Sequence, residues 1–157
     1  MKRFADLLDR LVYTSSRNAK IRLLVDYFRS TPDPDRGIAL TALTSSLDLK
    51  QAKAGRVRAL IEERMDPELF RLSYDYVGDT AETVALLWPD GTPQELRLST
   101  LIEEIKPLKG KQVEAKIADC LDGLDSTGRW AFLKLLTGGM RVGVSARLAK
   151  TALADLG

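Results

Sequence analysis

At 157 residues the chain is long enough to bury one proper apolar core without staples and too short for two comfortable domains. Hydrophobic residues at 45% against 29% charged exclude a disordered tail, and a lone cysteine, Cys120, excludes an intramolecular disulfide. The absence of histidine removes the commonest general base, imidazole metal sites and the Ser/His and Cys/His nucleophile pairs.

The chemistry left open is narrow, and no catalytic or metal-ligating set is legible. Asp6, Asp9 and Arg10 interrupt what would have to be the apolar stretch of a secretion signal. No run approaches the roughly 20 apolar residues of a membrane-spanning helix. The expected compartment is a reducing cytoplasm, with Cys120 as a small core residue.

Taken in chain order, nearly every segment repeats at helical spacing. Phe4, Leu7, Leu8 and Leu11 share one face, and Ile21, Leu24, Val25 and Phe28 share another after a break at Thr14-Ser15-Ser16. Thr31-Pro32-Asp33-Pro34 stops the second helix, because each proline lacks a donor and biases its predecessor away from helix. A third helix is predicted around Ile38 to Leu43, and Val57, Leu60 and Ile61 mark a fourth.

Asp66-Pro67 reads as a helix start, followed by a buried face of Phe70, Tyr74 and Val77. Gly78 is placed to end that helix, and Asp79 with Glu82 to open the next as a capping box, continued by Val84 and Leu87. As a metal or acid/base pair, Asp79 and Glu82 are less well explained than as caps. Trp88 to Leu98, with two prolines and Asp90-Gly91, is the longest predicted loop, after which Thr100 and Glu103 restart helix.

Pro107 and Gly110 bracket a further break before the stripe Val113, Ile117 and Leu121. Asp125 is placed to cap a helix facing inward through Phe132, Leu133 and Leu136; Gly138-Gly139 ends it, and Ser145 begins the last helix, predicted to run to the end of the chain. Alternating Val- and Ile-rich runs are missing. The fold class is therefore all-α, about ten short helices in one compact, non-repetitive array.

Net charge is only +2, but it is unevenly distributed. Residues 1–30 carry +4, 50–64 carry +3 and 105–157 carry +4, whereas 66–104 carry −7 and 31–49 carry −2. If the basic stretches meet in space they form a face able to neutralise phosphates and release counterions. On charge alone, lysines and arginines that merely solvate helix surfaces would account for the numbers equally well.

The most informative stretch is Lys134-Leu-Leu-Thr-Gly-Gly-Met-Arg-Val-Gly-Val-Ser-Ala-Arg147: a helix end, a glycine-bearing turn and a helix start within fourteen residues. Gly138, Gly139 and Gly143 would let backbone approach a phosphate closely. Amides from Val144 and Ser145 to Arg147 would sit at the positive end of a helix dipole, and Arg141 and Arg147 would add charge-assisted contacts. A plain glycine C-cap followed by a serine N-cap is the competing reading. Arg17 and Lys20, beside the Ser15/Ser16 cap, combine a helix start with positive charge in the same way, and Lys109-Gly110-Lys111 is flexible enough to reach a phosphate. Trp88 and Trp130 are expected to pack in the core rather than stack on bases.

The run LLTGGMRVGVSARL resembles the segment that closes the N-terminal DNA-binding domain of bacterial ATP-dependent DNA ligases, where a TG–x–R–x–GVS pattern precedes the catalytic core. Gly78-Asp79-Thr-Ala-Glu82-Thr-Val84 is similar to that domain's Gly-Asp helix junction, and Phe4 to Tyr27 to its first helical pair. The resemblance covers essentially the whole chain and implies a helical domain that grips nicked duplex DNA across the minor groove, with residues 1–157 as the DNA-binding part of a longer, monomeric ligase. It also implies repair, replication and recombination roles at the nucleoid, with double-stranded or nicked DNA and the ligase's own catalytic domains as partners.

ATP and Mg2+ would belong to those catalytic domains, not to this chain. The family's Lys-x-Asp-Gly nucleophile is absent; Cys120-Leu121-Asp122-Gly123 has Cys in place of the amine and reads as a helix end. Gly123 to Trp130 has the glycine spacing of a P-loop, but Arg129 and Trp130 replace its Lys and Ser/Thr, so it reads as a turn and a cap. The chain is accordingly expected to be inactive alone. The alternative function is a helical protein-interaction scaffold that does not bind DNA.

Overall fold

The computed structural model describes residues 1–44, 54–77, 80–92, 94–137 and 144–156. These hold ten α-helices and no strand: α1 Lys2–Val12, α2 Arg17–Ser30, α3 Asp35–Leu43, α4 Ala54–Arg64, α5 Pro67–Val77, α6 Thr80–Leu87, α7 Leu98–Ile105, α8 Lys111–Asp122, α9 Ser126–Thr137 and α10 Ala146–Ala154. The all-α reading is correct. None of these helices is long and apolar enough to cross a membrane.

Local chemistry explains most of the ends. Ser16 Oγ accepts the Ala19 amide at 3.3 Å, Asp66 Oδ1 the Glu68 amide at 3.0 Å, Asp125 Oδ1 the Gly128 amide at 2.7 Å and Ser145 Oγ the Leu148 amide at 3.1 Å. Each satisfies a donor that a helix start leaves open, worth about 1 kcal/mol. Between α7 and α8 the chain reverses at Gly110, whose φ of +61° favours a residue without Cβ. The Gly78-Asp79 junction and the Gly138-Gly139 stop lie outside the described residues.

Four expectations need correction. The third helix begins at Asp35 instead of Ile38, with its first turn immediately after the Pro32/Pro34 turn. α7 starts at Leu98, ahead of Thr100, and no side chain of its own caps it; the Ser99 amide donates instead to Asp35 Oδ1 of α3, 3.0 Å away. This tertiary cap has no local sequence signature. On α5, Phe70 is half-buried and Tyr74 exposed, their rings stacked at 6.2 Å, because only α6 covers this helix extensively. α10, for its part, stops at Ala154.

Packing runs in a row. α10 lies on α2, α2 on α1, α1 on α9, α9 on α6 and α6 on α5, while α4 packs on α8 and α3 on α7. Phe4, Leu8 and Leu11 of α1, Leu24 and Phe28 of α2, Val84 of α6 and Phe132 and Leu133 of α9 are essentially removed from water. Tyr27 joins them edge-on, 6.3 Å from Phe4 and 6.0 Å from Phe28. Such tilted pairs add about 0.5–1.5 kcal/mol beyond the area they bury.

The loop from Trp88 to Arg97 is fastened to the turn between α8 and α9. Trp88 Nε1 donates to Asp122 Oδ1 at 2.9 Å, the Gln94 amide donates to Gly123 O at 3.0 Å, and a Cβ on Gly91 would lie 2.6 Å from Asp122 O, so only glycine fits that approach. Trp88 is buried and Trp130 half-buried against the same core, as expected for packing residues. The Arg129 guanidinium lies beneath this loop, 2% exposed, and donates to Leu121 O, Trp88 O, Pro89 O and Asp90 Oδ1. The stretch that mimics P-loop spacing is therefore a capped helix start with an inward-facing arginine.

Burial sets an alkaline limit on stability. It pushes the Cys120 thiol from its ordinary 9.0 to about 11 and the Tyr27 phenol from 10.0 to about 12. Both groups hold their protons more tightly when folded, so their contribution is complete below the unfolded values and is lost as pH rises through the folded ones. Thermal midpoints should fall progressively above about pH 9. A midpoint unchanged up to about pH 11 would contradict this assignment.

Candidate nucleic-acid interface

The N-termini of α2 and α10 come together. Between them is a pocket of about 510 Å3 lined by Ser15, Arg17, Lys20, Ser145, Arg147 and Leu148. Residues from the two ends of the chain thus share one site, because the apolar stripes of α2 and α10 pack on each other, with Leu148, Ala149 and Ala152 buried on the α10 side.

Each helix start presents open donors. In α2 the first helical bond is Lys20 N to Ser16 O, and Ser16 Oγ takes the Ala19 amide, which leaves the Arg17 and Asn18 amides without an acceptor in the helix. In α10 the first bond is Ala149 N to Ser145 O, Ser145 Oγ takes the Leu148 amide, and the Ala146 and Arg147 amides remain open. Two helix dipoles contribute about +0.5 charge each at these ends, and Arg17, Lys20 and Arg147 add full charges. Among the described lining residues there is no carboxylate. The arrangement can hold an oxyanion, with amides for direction and guanidinium groups for charge.

Of the residues the sequence singled out, Arg17, Lys20, Ser145 and Arg147 meet here. Ser15 and Leu148 join them, Ser15 because it immediately precedes the α2 cap and Leu148 as the first buried position of α10. Val144 is half-buried and packs against the core, so its side chain is turned to a structural task. Lys109 and Lys111 are exposed on the α7–α8 turn and do not line the pocket. Gly138, Gly139, Arg141 and Gly143 lie outside the described residues. Glu82 is exposed in the first turn of α6, and no group of acidic or cysteine side chains that could hold a metal occurs among the described residues.

Part of the uneven charge along the sequence is gathered in space. The first and third basic stretches meet at the pocket through Arg17, Lys20 and Arg147, at the α10–α2 end of the row of helices. Of the acidic stretch, α5 and α6 pack on each other and on α9, away from the α2–α10 contact, whereas α7 packs on α3, which touches α10. The middle basic stretch does not join the pocket through its described side chains; α4 packs instead on α8. Arg129, counted with the third stretch, is buried and unavailable to a ligand.

No curated protein matches the chain. A family model describing the DNA ligase N terminus matches residues 1–154, nearly the full length. The chain belongs to the DNA ligase N-terminal domain family.

Proposed function

We propose that this domain binds duplex DNA at a nick, with little regard to base sequence, and holds it for the catalytic core of an ATP-dependent DNA ligase. One observation carries the reading: in a chain of this family, two serine-capped helix starts and three basic side chains converge on a single pocket of phosphate-binding character. Backbone amides and charges directed at phosphate carry no base information, so affinity is sequence-tolerant and salt-sensitive. Arg17, Lys20, Ser145 and Arg147 form the centre of the contact; Gly138, Gly139, Arg141 and Gly143, a few residues before Ser145 in the sequence, add to it, and Lys109 and Lys111 reach the DNA backbone elsewhere. Residues 1–157 act as the DNA-binding part; ATP, Mg2+ and the lysine nucleophile are supplied by the catalytic domains, since the chain has no Lys-x-Asp-Gly sequence. The parent enzyme acts in repair, replication and recombination at the nucleoid.

Fluorescence anisotropy of labelled nicked and intact duplexes across roughly 50–200 mM salt tests this, since phosphate contacts lose affinity steeply over that range. Expected are salt-dependent binding to any sequence and tighter binding to the nick. Absence of binding even at the lowest salt would sink the proposal and leave a helical protein-interaction scaffold as the better account.

A further inference from the structure

The most exposed aromatic side chain among the described residues stands beside the proposed phosphate pocket. Tyr13 is 84% exposed and Val12, just before it, 47%. Tyr13 is the C-cap of α1, and two residues along the chain lies Ser15 of the pocket, a separation of at most about 7 Å between Cα atoms. The connection is held at both ends. Thr14 donates its amide to Leu11 O at 3.2 Å and its hydroxyl to Arg10 O at 2.7 Å, while Ser16 caps α2. An aromatic ring is therefore held out in water on an ordered helix end, where its apolar faces gain nothing within the fold.

The other exposed large apolar side chains, Leu69, Leu72, Tyr74 and Leu86, lie on α5 and α6 inside the acidic stretch, which repels phosphate. Val12 and Tyr13 differ in lying a few residues along the chain from Ser15 and Arg17 of the pocket, where a nucleic-acid backbone would be drawn in. Beyond its phosphates, a DNA strand offers the deoxyribose face and, in the minor groove, the adenine N3 and thymine O2 acceptors. A tyrosine suits both, packing its ring on the sugar while its hydroxyl donates to a groove acceptor.

Resting on the DNA-binding reading above, we infer that Tyr13, supported by Val12, is an apolar contact residue whose ring packs on a deoxyribose of the strand whose phosphate is held by Arg17 and Arg147. It supplies the part of the affinity that does not depend on salt. Phosphate contacts release counterions and set the slope of affinity against salt, whereas a ring on a sugar releases none.

The test is a titration of nicked duplex with the wild-type chain, Tyr13→Ala, Tyr13→Phe and Val12→Ser at several salt concentrations. Tyr13→Ala is expected to weaken binding roughly five- to tenfold at every salt concentration with the slope unchanged, Val12→Ser about twofold, and Tyr13→Phe to recover most of the loss, as for a truncated aromatic contact. Because Tyr13 is so exposed, its variants should melt with the wild type. Wild-type affinity in Tyr13→Ala would overturn the contact while leaving the phosphate site standing, and so would a loss confined to low salt. No binding by the wild-type chain would remove the DNA-binding reading itself.

Discussion

Replacing Arg17 and Arg147 together with alanine is expected to weaken binding to nicked duplex by roughly ten- to a hundredfold at low salt and to reduce the salt slope by about two phosphate equivalents. The two residues belong to helices separated by more than a hundred positions in sequence, yet both line one pocket. Each side chain supplies a full charge beside a helix start whose amides already favour an anion, so its loss removes one charge-assisted contact and one released counterion. Both are exposed, so helix content and melting temperature should hold. A double variant with unaltered affinity and slope would show that DNA, if bound, is held elsewhere. The single variants discriminate further: two arginines on the same strand should each lower the slope by about one, without preference among base sequences.

The largest structural effect is expected from Arg129→Met. Arg129 ties the end of α8 to the Trp88–Asp90 stretch through hydrogen bonds to Leu121 O at 2.9 Å, Trp88 O at 3.1 Å, Pro89 O at 3.4 Å and Asp90 Oδ1 at 3.1 Å. Methionine fills much of the volume but leaves three carbonyls without this donor, and partners of a buried charged donor cost about 3–5 kcal/mol when abandoned. Asp90 is 93% exposed and finds water, which places the effect at the lower end. For a domain of this size the melting temperature should fall by about 10 °C. Arg129→Lys should recover only a fraction, since one ammonium cannot span acceptors arranged for a planar fork. At a temperature where the variant remains folded, DNA affinity and its salt slope should match the wild type, because this guanidinium faces inward. A melting temperature within about 2 °C of wild type would refute the clasp.

Arg129 also shows how sequence and structure divide the information. It counts as one positive charge in a basic stretch, and as a departure from P-loop spacing it reads as part of a turn and a cap. The second reading was right for a local reason: Asp125 three residues before Gly128 is a capping arrangement whatever the surroundings. The charge count is silent on its burial, because it does not report which way a side chain turns. The burial expected of Tyr74 failed, since periodicity places it on an apolar face of α5 while the number of neighbours available to cover that face is a tertiary matter.

The helices and most of their ends are legible in the residues alone, because 3.6-residue apolar spacing, proline and glycine breaks and Ser/Asp caps act within one turn of chain. So is the family, through residues matched over 1–154. The start of α7 and the gathering of Arg17 and Lys20 with Ser145 and Arg147 are products of packing, since the α7 cap is Asp35 from another helix and the pocket joins both ends of the chain. Both follow from range: caps and charges act over short distances, and which distant ones come within reach depends on how the apolar stripes of separate helices fit together.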